Sequence, residues 1–294
     1  MSFTTVDYLY FIAEKYAFYA GIVNLIIGLI GNLLLILIFF KVKIFRRNQC
    51  SFYLIIESCS DILLISSMYI SRIVTAIIGI DPISISIVWC KLRSMIVQSC
   101  GFFSVLTISC MTIDQFFSTH YSTFLRQFGS YRLAYRLTII NLCFTILHSS
   151  LFLIFNDIQS MICTVYNSII RKYLSFFYYP ILSNTIPTII TITFSLLAYR
   201  NVHRIIRRQI SIVRRRLDRQ LTSMVLARVI LIIICGLPYV CTTLYGFNVD
   251  KSGDQHMQLA ILSLATVIAD TMLITNFCVN FLFGKNFFFY LYFR

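Results

Sequence analysis

Apolar residues in this chain neither alternate with polar ones nor keep to one helical face; they run on. Intervals free of Asp, Glu, Lys and Arg extend from Tyr16 to Phe40, Ser94 to Ile113, Leu137 to Asn156, Tyr173 to Tyr199 and Val229 to Val249. Each is near or above the roughly 20 residues that carry a helix across ~30 Å of hydrocarbon. Two further stretches, about Ser51 to Ile78 and Gln255 to Phe283, hold a few embedded charges and are still long enough to span. The pattern predicts seven membrane helices in one domain over residues 16–283, with a short amino-terminal segment at 1–15 and a short tail at 284–294.

The charges left between the spans sort by side. With the amino terminus outside, the inner loops hold Lys41, Lys43, Arg46 and Arg47, then Arg126, Arg132 and Arg136, then eight arginines from Arg200 to Arg219. The outer loops mix few cations with Asp81, Asp157, Asp250 and Asp254. This asymmetry sets the orientation and makes the tail cytoplasmic. The first 15 residues contain Asp7, Glu14 and Lys15 and lack a basic start followed by an apolar core, so the first span is expected to serve as its own signal.

Composition agrees: 59% hydrophobic residues, 12% charged and a mean hydropathy of +0.82 are too apolar for a soluble domain of this length. The formal charge of +14 does not point to nucleic acid, because the arginines lie beside apolar spans, where anionic inner-leaflet lipid attracts them. Between Arg200 and Gln220, Val202, Ile205, Ile206, Ile210, Val213 and Leu217 recur at helical spacing among arginines, so the fifth and sixth helices are expected to continue inward as basic amphipathic helices. The four histidines, His120, His148, His203 and His256, have no paired metal spacing, and no nucleophile motif appears, so an enzyme is not expected. Pro187 and Pro238 lie inside spans and predict kinks.

Motifs within the spans carry the functional reading. Trp89-Cys90 opens the third apolar segment and Asp114-Gln115-Phe116 closes it, 24 residues on, about 36 Å of helix and one tilted span. Together with Gly31-Asn32, Asp61, Cys163, Pro187, Cys235-Gly236-Leu237-Pro238, Asn276 and Asn280, in that order, it resembles the rhodopsin-like (class A) G-protein-coupled receptors. The resemblance covers about Gly21 to Lys285 and implies an all-α seven-helix bundle in the plasma membrane. The ending Val279-Asn280-Phe281 is similar to one found in invertebrate FMRFamide-like peptide receptors, although Gly284-Lys285 arrives about a helical turn early.

What the resemblance implies can be followed residue by residue. Cys90 and Cys163 would form the disulfide of the second outer loop, the alternative being two reduced thiols. Asn32, Asp61, Ser104, Asn276 and Asn280 match a polar cluster around a bound sodium ion, where oxygen ligands suit a hard cation; the alternative is a hydrogen-bonded polar core without one. Asp114 and Phe116 flank a glutamine, Gln115, where the family keeps the arginine that contacts Asp218 and the G protein. Glutamine cannot supply a charge-assisted bidentate contact. Gly236, two residues before Pro238, stands where the family usually has tryptophan. Glu57 and Arg228 border the inner apolar layer that opens on activation, and an ion pair between them would replace the missing lock one layer higher; the alternative is Arg228 snorkelling inward with Glu57 protonated.

At the outer end, Tyr69, Arg72, Val97, Gln98 and Asp270 are expected to line the ligand pocket. Val97 stands where amine receptors hold an ammonium with aspartate, and the seventh helix has no lysine for retinal. Arg72 and Asp270 either face each other or engage the carboxylate and amine of a peptide. The leading expectation is a receptor for an extracellular ligand, a short peptide being favoured, that engages a heterotrimeric G protein by outward movement of the sixth helix. A seven-helix decoy or scaffold is the alternative that Gln115 and Gly236 motivate. A transporter or channel is the remote one, since neither discontinuous helices nor repeated pore charges are evident.

Overall fold

The structure, a computed structural model, describes residues 3–41, 49–159, 161–205, 212–249 and 256–278. Numbered in chain order, its helices are α1 (Phe3–Lys41), α2 (Gln49–Ile78), α3 (Pro82–Ile85), α4 (Ile87–Thr119), α5 (Thr123–Phe128), α6 (Tyr131–Phe155), α7 (Ser168–Tyr173), α8 (Ile186–Ile205), α9 (Ile212–Asn248) and α10 (His256–Cys278). A π-helical stretch, Leu174–Thr185, joins α7 to α8. Seven helical segments are long and apolar enough to cross a membrane: α1, α2, α4, α6, the α7–π–α8 run, α9 and α10.

A bilayer inverts the usual logic of exposure, and α1 shows it. Ile26, Ile27, Ile30, Leu33 and Leu37 face outward while Asn24, Asn32 and Leu35 are buried. Lipid solvates the apolar face, and polar side chains find partners only in the bundle. At Gly28 a Cβ would lie 2.7 Å from Ile65 Cδ1 and 2.8 Å from Cys278 Sγ, so the bare backbone lets α1, α2 and α10 close on one another. The 39 residues of α1 reach about 58 Å, more than the hydrocarbon thickness. The amino-terminal segment is therefore continuous with the first span from Phe3 onward.

Packing follows a closed circuit. α1 lies against α2 and α10, α2 against α4, α4 against α8, α8 against α9, and α9 against α10; α6 packs on the outside of α4. α4 is thus the axial helix. Ser86 caps it by accepting from Trp89 N at 3.3 Å, and Ser130 caps α6 through Leu133 N at 3.4 Å. Ser109 Oγ on α4 donates to Pro187 O and meets Thr191 Oγ1 at 3.0 Å, which ties α4 to the first turn of α8.

Pro187 lies inside the α7–π–α8 span, directly after the π-helical stretch that contains Pro180. The second outer loop holds an antiparallel hairpin, β1 (Asn156–Gln159) and β2 (Ile162–Val165), pairing Ile158 with Cys163. A disulfide joins Cys163 to Cys90 on α4, with Cα atoms 5.9 Å apart, and holds the hairpin over the outer end of the bundle.

Candidate functional site

A cavity of about 410 Å³ opens at the outer end of the bundle, within the ~300–1,000 Å³ of small-molecule pockets. On α4 its lining runs from Arg93 to Val105, about 18 Å of helix. Arg72, Val97, Gln98 and Asp270 line it. Tyr69 does not: it is buried in the seam between α1 and α2, where its hydroxyl accepts from Asn24 Nδ2 at 3.1 Å. Arg72 and Asp270 form no ion pair with each other, although the two charges lie within electrostatic reach.

The π-helical stretch builds the far wall. Tyr178 and Ser183 line the cavity, as do Tyr179 and Asn184. Both pairs are five residues apart, the repeat of an i→i+5 ladder; in an α-helix such residues would point about 140° apart. Gln98 Nε2 on α4 donates to Tyr179 OH at 2.9 Å, and Tyr179 packs edge-on against Tyr239 of α9. Sequence reading missed these residues and Arg93. Arg93 was legible, because it lies one turn above Val97 on the same helix face; Tyr179 and Asn184 were not, since the π register decides which way they point. Gly236 forms part of the floor. A Cβ there would have only Asn184 Oδ1 within 4 Å, at 3.5 Å, so the missing tryptophan leaves open space.

Below the cavity lies the polar core. Ser104 Oγ donates to Asp61 Oδ1 at 2.7 Å, and Asp61 is 0% exposed. Asn32 Nδ2 donates to the backbone oxygens of Gly28 and Phe277, linking α1 to α10. The Oδ1 atoms of Asn32 and Asn276 are buried with no hydrogen-bond donor among the described residues. Amide oxygens and a carboxylate are the kind of oxygen ligands that a hard cation takes. Asn280 lies outside the described residues.

One layer further in, α2 and α9 meet through charge. Arg228 Nη1 stands 2.6 Å from Glu57 Oε1, and the two side chains are 0% and 1% exposed. Nε and Nη2 of Arg228 have no hydrogen-bond partner among the described residues. Arg228 therefore does not snorkel toward the inner surface. At the inner end of α4, Asp114 and Gln115 are both buried, and the two Asp114 carboxylate oxygens lack a hydrogen-bond donor among the described residues. Phe116 stacks edge-on against Phe194 of α8, with centroids 5.5 Å apart. Asp218 belongs to α9, but its side chain lies outside the described residues. Pro238 is inside α9, where its carbonyl accepts from Thr242 Oγ1 at 3.0 Å.

No curated protein matches the chain. The sequence does match the family described as 7 transmembrane receptor (rhodopsin family) over residues 31–280. That interval takes in the axial helix, the disulfide, the cavity and the polar core, leaving out only the first span's outer part and the tail. With that match over most of its length, the chain belongs to the rhodopsin family of seven-transmembrane receptors, membrane proteins that signal and are not enzymes.

Proposed function

We propose that this receptor sits in the plasma membrane, binds an extracellular ligand in the outer cavity and passes the signal to a heterotrimeric G protein by outward movement of α9. In this reading the ligand is a short peptide that inserts one end. The observation that carries the mechanism is the buried Glu57–Arg228 pair. Outward movement of α9 has to separate it, which takes each buried charge away from its partner. The pair takes over the restraint that Gln115 cannot provide. It lies ten residues above Asp218, about 15 Å along the helix. Every 1.4 kcal/mol withdrawn from that restraint raises the active fraction about tenfold.

Sodium belongs to the same proposal. Asp61, Ser104, Asn32 and Asn276 would hold it, with Asn280 as a further candidate ligand, and when bound it would supply a positive charge among their oxygens. Asp61 with Ser104 and the two leftover amide oxygens support this reading.

Gln115 and Gly236 favour a second reading, a decoy or scaffold that binds ligand without G-protein turnover. Nucleotide exchange in membranes, wild type beside Gln115→Arg, separates the two. Robust exchange by the wild type supports signalling. A silent wild type beside an active Gln115→Arg variant establishes the decoy.

A further inference from the structure

Arginines outnumber acids among the residues that line the cavity. Arg72 of α2 and Arg93 of α4 both line it, and Asp270 of α10 is the carboxylate there. Asp270 lies within electrostatic reach of both guanidinium groups, yet no ion pair joins them. Asp81 also acts on Arg93 from a distance, but it is engaged in capping α3: its Oδ1 accepts from Ile83 N at 3.0 Å and from Thr75 Oγ1 at 3.4 Å. Arg93 is held from behind, with Nε donating to Ser67 O at 3.2 Å and Nη2 facing Met68 Sδ at 3.4 Å. Arg72 makes no hydrogen bond or ion pair with any described residue.

Two guanidinium groups and one carboxylate line this end of the cavity, and Arg72 has no acid within ion-pair distance among the described residues; inside low-dielectric walls charge interactions exceed their strength in water. Arginine presents planar donors matched to a carboxylate. The other end of the cavity is apolar. Ile232, Ile274 and Phe277 line the cavity together with Gly236, where a Cβ would meet only Asn184 Oδ1 within 4 Å.

We propose that the ligand is an amphipathic organic anion, its carboxylate docked at Arg72 and Arg93 and its apolar body running down toward Gly236. This rests on the receptor reading and names the ligand class. The same chemistry is offered by the free carboxyl terminus of a short peptide with apolar last residues and by a free medium-chain carboxylic acid. A carboxyl-terminally amidated peptide and a simple ammonium ligand both lack it.

Thermal unfolding of the intact receptor in lipid nanodiscs tests the assignment with matched probes. One pair is decanoic acid and decan-1-ol; the other is a tetrapeptide ending in Leu-Phe, as free acid and as carboxamide. The acid of at least one pair is expected to raise the unfolding midpoint while its neutral partner does not. A response to decanoate assigns the free acid, and one to the peptide acid assigns the peptide terminus. Arg72→Gln, which removes a side chain with no described partner, should fold as the wild type does and weaken the responding acid about tenfold or more. Gly236→Leu should weaken that acid as well, by filling the apolar end. The proposal is overturned if neither acid acts, if the neutral partners act as strongly, or if Arg72→Gln binds the acid as tightly as the wild type. Binding is read without nucleotide exchange, so an acid-binding receptor that fails to signal overturns only the signalling proposal, and a signalling receptor indifferent to acids overturns only this one.

Discussion

A guanidinium and a carboxylate buried together in a bilayer are each tolerable only because of the other. Glu57→Gln leaves Arg228 as a lone buried cation, and thermal unfolding should register a loss of about 3–5 kcal/mol. The double variant Glu57→Leu/Arg228→Met removes both charges and should lose far less than either single change; a strictly additive loss would show that the two side chains do not depend on one another. Asp61 makes a different prediction. Replacing choline with sodium in the buffer should raise the wild-type unfolding midpoint, and Asp61→Asn should abolish that response while still accepting from Ser104. An equal sodium response in both proteins would remove the ion from the proposal. These residues were legible because acids and arginines inside apolar runs are conspicuous. The partner of each was less so, since only the relative rotation of α2 and α9 brings Glu57 to Arg228.

Elements differ in how much of themselves they declare in sequence. Length and apolarity announce the spans, since a helix satisfies its own backbone in lipid. The π-helical stretch does not announce itself: Leu174–Thr185 is as apolar as its neighbours, and Pro180 reads as an ordinary helix proline until the i→i+5 ladder around it is seen. That ladder sets Tyr179 and Asn184 on one wall, which is why the cavity was only half legible. The hairpin is similar, being short and fixed by its tether. Cys90→Ser should release it. Closing a loop of this length, with cysteines 73 residues apart, stabilises by about 2–4 kcal/mol, so the variant should unfold at a lower temperature than the wild type under oxidising conditions and at the same temperature after reduction. A wild type unchanged by reductant would show that the tether contributes little.

At the scale of the whole molecule, the bundle joins an outer cavity lined by Arg72, Arg93 and Asp270 to an inner layer that holds the Glu57–Arg228 pair, through the Asp61–Ser104 core and the axial helix α4. Gln115 and Gly236 stand where the family keeps arginine and tryptophan, and in the proposed mechanism the restraint on α9 falls to Glu57 and Arg228. The measurement that bears on this most directly is ligand-free nucleotide exchange on a G protein in membranes, at matched receptor levels, for wild type, Glu57→Gln and the charge swap Glu57→Arg/Arg228→Glu. Basal exchange should rise at least about tenfold in Glu57→Gln and return toward the wild-type level in the swap. Exchange in Glu57→Gln no higher than in wild type, or a swap that stays as active as the single variant, would contradict the account.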